Sequence, residues 1–205
     1  MKMSADALER LTHNHNPRYK IAVSGSARDN CSPGTHQKAK RIGAEIAKRD
    51  IVLITGATTA IPYWACIGAK EEGGISIGIS PAVSKIEHVR KYHLPTNYMD
   101  LIIYTGFDYS GRNLLMVRSA DAAVFVCGRI GTLNEFTIAF EDKKPIGILT
   151  GTGGISSEIE GLLETAERGS KNVIYDDDPS RLIDRLVDMI KIAENGNGRS
   201  IAQKD

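Results

Sequence analysis

The chain has 205 residues, enough to bury roughly 70% of its unfolded surface in one core, and its 26 basic and 25 acidic side chains nearly cancel to a net charge of +1. That balance gives no electrostatic footprint for nucleic acid or an anionic membrane, and no apolar run approaches the length that spans a bilayer. Residues 1–20 are polar and read as no secretory leader, so a single-domain protein in the cytoplasm is expected.

In chain order, residues 1–18 carry a short helical pattern at Ala5, Leu8 and Leu11 and read as an N-terminal extension. His13 and His15, two residues apart, share no helix face and have no cysteine or carboxylate cluster nearby, so no metal site is expected. A main domain over 19–194 follows. Its first strand, 19–24, ends at Gly25-Ser26-Ala27-Arg28, a loop at the carboxyl end of a strand, where ligands sit in open parallel sheets. Ser32 and Pro33 read as the cap and first position of a helix whose face of Ala39, Ile42 and Ile46 suits covering a sheet. A strand over 51–55 runs through Gly56-Ala57-Thr58-Thr59 into a helix over 62–72; Gly56 permits close backbone approach, and the two threonines offer hydroxyls. Tyr63 and Trp64 read as core ahead of a base-stacking wall. After a strand over 75–80, the polar segment 82–99 with His88 and His93 fits either a flap over a site or a subunit interface. A strand over 101–104 leads to a helix from about Arg112. A cation there meets the positive end of the helix dipole and needs an anionic partner, which a bound phosphate or Glu135 would supply; a salt bridge to another acidic residue or simple exposure is the alternative.

Residues 121–140 organise the rest. Ala122, Ala123, Val124, Phe125 and Val126 make one buried strand, too short for a buried helix. Gly128, Arg129 and Gly131 then form a sharp turn, and Leu133, Phe136, Thr137 and Phe140 recur at helical spacing. A strand, a glycine turn and a helix whose first N–H groups are unpaired make a socket for phosphate. Thr132 adds a hydroxyl, while Glu135, unhelpful to phosphate itself, suits sugar hydroxyls or a water. Of the three cysteines, Cys31, Cys66 and Cys127, the last two lie in apolar segments and read as buried free thiols in a reducing compartment. A strand over 146–149 follows. Gly151-Thr152-Gly153-Gly154 lacks the Lys-Ser/Thr of a Walker sequence and reads as a flexible turn. A helix with Ile159, Leu162 and Leu163, a strand over 172–175 and a final helix capped by Asp178-Pro179 complete the domain. Residues 195–205 read as a disordered tail. The alternation implies a Rossmann-like, three-layer α/β sandwich with a mainly parallel sheet of about seven strands.

The stretch CGRIGTLNE, ending at Glu135, resembles the PGGxGTxxE motif of the family once labelled "possible lysine decarboxylase" and typified by the cytokinin-activating LOG phosphoribohydrolases. GRNLLMVRSADAAVFV resembles the arginine-bearing helix and strand before that motif, and Gly25-Ser26 resembles the turn after the family's first strand, so the likeness covers residues 19 to 150. The pair Arg112-Asn113 is more similar to an uncharacterised branch near the molybdenum cofactor carrier proteins than to LOG enzymes, which have Arg-Lys. The resemblance implies a homodimer or higher homo-oligomer with the site near the dimer interface. It also implies a small phosphate-bearing ligand at Gly25, Ser26, Gly56, Gly128, Arg129, Gly131 and Thr132, with Arg112 and Glu135 as the catalytic pair. The reaction would be hydrolysis of the N-glycosidic bond of a nucleoside 5′-monophosphate, which passes through a cationic sugar that a carboxylate stabilises. No covalent nucleophile, cofactor or metal is required. Ser110 and Asn113 replace the LOG histidine and lysine, Cys127 replaces the motif's proline, Arg129 replaces its second glycine, and only Gly56 survives of a GGGxxG run. These departures raise a second expectation, a non-catalytic carrier of a nucleotide or a pterin cofactor. Lysine decarboxylation is rejected, because it needs a Schiff-base lysine on a much larger scaffold.

Overall fold

The computed structural model describes residues 18–202, Asp29 excepted, with no account of side chains beyond Glu194. The N-terminal extension, including His13 and His15, thus lies outside the described residues up to residue 17. Seven strands form one sheet: β1 (Lys20–Gly25), β2 (Val52–Thr55), β3 (Ser76–Ser80), β4 (Leu101–Tyr104), β5 (Ala122–Val126), β6 (Ile146–Leu149) and β7 (Val173–Asp176). Their order is β4-β3-β2-β1-β5-β6-β7, and every pairing is parallel. The helices are α1 (Thr35–Lys48), α2 (Ile61–Glu71), α3 (Lys85–Arg90), α4 (Asp108–Ser119), α5 (Ile130–Glu141), α6 (Ile159–Thr165) and α7 (Pro179–Ala202).

Burial on both faces explains why the strands read as apolar runs. Ile21, Val23, Leu53, Val124 and Val126 point into one core with α1, α2 and α7. Ala22, Ile54, Ala123, Phe125 and Ile148 point into the other with α4, α5 and α6. The three-layer α/β sandwich is therefore the fold, and its sheet is wholly parallel. Helices α1 and α2 cross closely because of two glycines: a Cβ on Gly43 would lie 1.8 Å from the Ala65 carbonyl oxygen, and one on Gly68 1.8 Å from that of Lys40.

The strand order reverses between β1 and β5. The chain leaves β1 toward one face and β5 toward the other, which opens a crevice at their carboxyl ends. The register Gly25↔Val126 sets the two exits side by side. This neighbourhood also corrects the reading of the cysteines. Cys31, six residues beyond β1, is disulfide-bonded to Cys127, directly after β5, across a sequence separation of 96. Cys66 alone is a free, buried thiol, and burial pushes it up to about 11.

Three boundaries also differ from expectation. Helix α1 starts at Thr35, capped by a left-handed Gly34; the Ser32 amide is committed to the Thr152 carbonyl and its own carbonyl accepts from Thr35, so Ser32 is no cap. Helix α4 starts at Asp108, placing Arg112 in its second turn and away from the helix end. Helix α7 runs to Ala202, into the segment read as a disordered tail; an interior glycine costs a helix about 1 kcal/mol and does not by itself stop it. In the 82–99 segment His88 is fully buried, bridging the Ser80 hydroxyl and the Pro95 carbonyl at 2.8 Å each. Among the described residues no helix is long and apolar enough to cross a membrane.

Candidate functional site

A cavity of about 320 Å³ occupies the crevice. Its walls are the end of β1 with Ser24, Gly25 and Ser26, the end of β2 with Gly56 and Thr58, helix α4 with Tyr109, Arg112 and Asn113, and the start of α5 from Arg129 to Glu135. Each wall is a strand exit or a helix laid against one, so the sheet fixes the spacing of the groups that face the cavity.

The pair at its base is buried. Arg112 is 4% exposed and Glu135 7%, with Nη1 of the arginine 3.6 Å from Oε1 of the carboxylate. The anionic partner of Arg112 is thus Glu135, which comes from the neighbouring helix, and burial rather than the helix end is what demands it. The Ser24 hydroxyl donates to Oε2 of Glu135. The amide of Asn113, turned so that its NH2 faces acceptors, donates to Oε1 at 2.8 Å and to the Tyr109 carbonyl at 2.9 Å; the opposite orientation would set oxygen against oxygen. Burial pushes the Glu135 carboxyl above the ordinary carboxylate range, against the pull of Arg112 and Ser24. Burial likewise pulls the Arg112 guanidinium down, and Glu135 only partly restores it. Nε of Arg112 is buried without a hydrogen-bond partner, the Tyr109 ring lies 5.7 Å from Cζ, and Gly56 makes room for the guanidinium: a Cβ there would sit 1.7 Å from Nη1.

The opposite wall is the turn into α5. Cys127 and Gly128 both have positive φ, 57° and 94°, and the Thr132 side chain fills the space a Gly128 Cβ would need. Arg129 has φ −135°, extended backbone open to any residue, so replacing the motif's second glycine costs no strain. The first bond of the helix ladder runs from the Leu133 amide to the Arg129 carbonyl, leaving the amides of Ile130, Gly131 and Thr132 ahead of it at the positive end of the dipole. The turn rests on residues 151–156. Thr152 accepts from the Cys127 amide at 2.9 Å and donates to the Leu149 carbonyl at 2.8 Å, while Ser156 donates to the Cys127 carbonyl. That loop, read from the sequence as a flexible turn, is a bonded support because Thr152 is 1% exposed and has both roles satisfied.

Gly25, Ser26, Gly56, Arg112, Arg129, Gly131, Thr132 and Glu135 therefore line one cavity. Gly128 shapes the turn beneath it, outside the lining. Arg28 is exposed and outside it as well. Thr58 lines the wall, whereas Thr59 bonds the Ala27 carbonyl at 2.8 Å. Trp64 stacks on His36 and Tyr63 meets Tyr98 edge-on, both away from the cavity, and no residue of 82–99 reaches it. Sequence reasoning passed over Ser24, whose signal was a hydroxyl ending an apolar strand, and saw Asn113 only as a departure. Among the described residues no group of three or more His, Cys, Asp or Glu could hold a metal.

The SLOG cluster4 family model matches residues 18–183. The chain belongs to that family. This SLOG cluster4 chain is 33% identical to an uncharacterised protein of Archaeoglobus fulgidus over 129 residues, 63% of this chain and 78% of that one. Among solved structures it resembles the molybdenum cofactor binding protein of Rippkaea orientalis, with a TM-score of 0.69 and 27% identity over 85% of this chain and 98% of the other. It also resembles the molybdenum cofactor carrier protein of Chlamydomonas reinhardtii, with a TM-score of 0.68 and 25% identity over 85% and 99%. The likeness to the LOG superfamily and to its carrier-like branch is thus found in the family and in the fold.

Proposed function

We propose that this chain binds a small phosphate-bearing ligand of nucleotide type in the crevice between β1 and β5. The observation that carries the reading is the buried, unpartnered Nε of Arg112 in a cavity that also collects the free amides of α5 and the Arg129 side chain. An anionic group at the α5 end completes these donors, and the remainder of the ligand lies toward Arg112, Glu135 and Tyr109. If the ligand is a nucleoside 5′-monophosphate, the Glu135 carboxylate faces the ribose, where it stabilises a cationic sugar and orients water for N-glycosidic cleavage. Arg112 favours the ionised form of that carboxylate, against the burial that disfavours it.

A second reading, carriage of a nucleotide or pterin cofactor without chemistry, is favoured by two observations. Ser24 and Asn113 occupy two of the roughly four acceptor positions of Glu135 and Arg112 pairs with its charge at 3.6 Å, and the similar structures named above include a cofactor binding protein and a cofactor carrier. The chain is read as cytoplasmic and as a homodimer joined through the surface formed by Val83, Ile86 and Val89 with Leu101 and Ile103 of edge strand β4, all exposed in the single chain. Incubation with AMP and N6-modified AMP separates the two readings. Free base, lost in Glu135→Ala, establishes the hydrolase; a raised melting temperature without base release establishes the carrier. No thermal shift and no release with either nucleotide would overturn the nucleotide reading.

A further inference from the structure

The Cys31–Cys127 disulfide joins two of the loops that build the cavity, at the point where both are otherwise least regular. Cys127 sits at φ 57°, immediately before the glycine turn, and is fully buried. Cys31 ends the loop that starts at Gly25 and Ser26, two lining residues, and it is only partly buried. The first half of the loop is tied outward, the Ser26 carbonyl accepting from the Ile61 amide at 3.0 Å and the Ala27 carbonyl from the Thr59 hydroxyl at 2.8 Å, whereas the Ser26 hydroxyl bonds only within the loop, to Arg28 and Asn30. A separate surface cavity of about 170 Å³ is lined by Cys31 and the residues from Ser32 to His36.

We propose that Cys31–Cys127 is a reversible thiol–disulfide exchange site whose redox state sets how well the neighbouring cavity holds its ligand. In the cytoplasm proposed above, a disulfide of this kind in a mesophile is characteristically transient or regulatory. The attacking reagent is a small-molecule thiol. Its thiolate reaches Cys31 Sγ, the more accessible sulfur; the S–S bond breaks, its electron pair leaves on Cys127 Sγ, and that sulfur takes up a proton. A second thiolate attacks the external sulfur of the mixed disulfide, releasing Cys31, which is protonated, and one molecule of external disulfide. In sum two external thiols lose two electrons and two protons, and the protein gains both as two thiols.

The geometry gives the direction of the effect. The disulfide holds the 25–31 loop against the turn at 127–132. Opening it leaves the turn on its Thr152 and Ser156 supports and Ser26 and Ala27 on their bonds to Ile61 and Thr59, but removes the covalent link between the Cys31 end of the loop and the turn, so the ligand must order that end on binding. The oxidised form binds more tightly.

This direction for the ligand rests on the proposed binding function, and the test separates the two. Full-length protein is prepared oxidised, reduced with excess dithiothreitol, and as Cys31→Ser, which carries no disulfide and keeps the buried Cys127 in place. Thiol counting after denaturation, peptide-resolved hydrogen exchange over 25–34 and 127–132, and AMP affinity are measured on each. We expect one thiol in the oxidised protein and three in the reduced, faster exchange at 25–34 in the reduced protein and in Cys31→Ser alike, and AMP binding weakened about fivefold or more, the low end of ordinary site coupling. Three thiols under all oxidising conditions, or exchange at 25–34 indifferent to redox state, overturns the switch. So does measurable AMP binding of equal affinity in oxidised and reduced protein. If AMP binds neither form while exchange responds, the switch stands and the nucleotide reading falls.

Discussion

Gly56 offers a sharp test of how the site is assembled. A methyl group there would meet Arg112 Nη1 at 1.7 Å, Cζ at 2.7 Å and Nη2 at 3.1 Å. These are the three nearest atoms, so nothing outside Arg112 comes closer than the last of them. Gly56 has no positive φ, and alanine adopts its backbone without strain. The whole cost of Gly56→Ala therefore falls on one guanidinium. That group is boxed in at 4% exposure and must leave its place 3.6 Å from Glu135. Overpacking of this sort costs about 1–3 kcal/mol, and breaking a buried ion pair outright about 3–5 kcal/mol; a displaced but surviving arginine lies between, near about 2–3 kcal/mol. For a chain of this size that is a fall in melting temperature of about 4–12 °C.

The decisive measurement is the same substitution on an Arg112→Met background. Methionine is too short to place atoms where Cζ and Nη1 stood and carries no charge to strand. There Gly56→Ala should be neutral or stabilising by about 0.4–1 kcal/mol, through the reduced freedom of the unfolded chain. Urea unfolding of the four proteins gives a coupling energy of at least about 2 kcal/mol. If Gly56→Ala costs the same in both backgrounds, Gly56 does not exist to admit Arg112. A thermal shift by AMP, present in the wild type, should vanish in Gly56→Ala and in Arg112→Met.

Glu135 is held above the ordinary carboxylate range by burial and held down by Arg112, so any turnover that needs the ionised carboxylate rises with pH through an ionisation above that range. Arg112→Met moves this limb to higher pH, and a pH–rate profile with an unmoved limb refutes the pairing. Because its folded value is raised, Glu135 contributes stability below its unfolded value that is lost as pH rises through the folded one. Asp176 shows the opposite sign: Arg181, the Asp178 amide and Arg185 hold its carboxyl far below the usual range, so its contribution is present above about pH 4 and is lost as pH falls. Asp176→Asn should flatten the acid side of the stability curve, and a curve parallel to the wild type below pH 4 would contradict this. Gly154→Ala meets a positive φ of 63° and the Gly128 carbonyl at 2.5 Å. It should cost about 1–3 kcal/mol in urea unfolding; a change below about 0.5 kcal/mol would show that the 151–156 support is dispensable.

What the sequence disclosed depended on how far each interaction reaches along the chain. The strands were legible because a parallel sheet covered on both faces writes itself as short apolar runs, and Ala122–Val126 is such a run, buried along its whole length. The anion turn was legible because its strand, glycines and helix are contiguous. Arg112 was legible as a cation in need of an anion and Glu135 as one candidate, but which partner it takes was not, since 23 positions separate the two in the sequence and the packing of α4 on α5 makes them neighbours. Ser24 and the Cys31–Cys127 bond were hidden for a stronger version of the same reason. Ser24 reaches Glu135 across the β1/β5 junction, and the two cysteines meet only because the strand order reverses at that junction. Where the chain reverses, groups far apart in sequence face one another at one edge of the sheet. The same topology that opens a crevice for a ligand therefore gathers both its charged pair and its redox-active pair, and a perturbation of either is expected to be felt by the other through the single turn from Cys127 to Thr132.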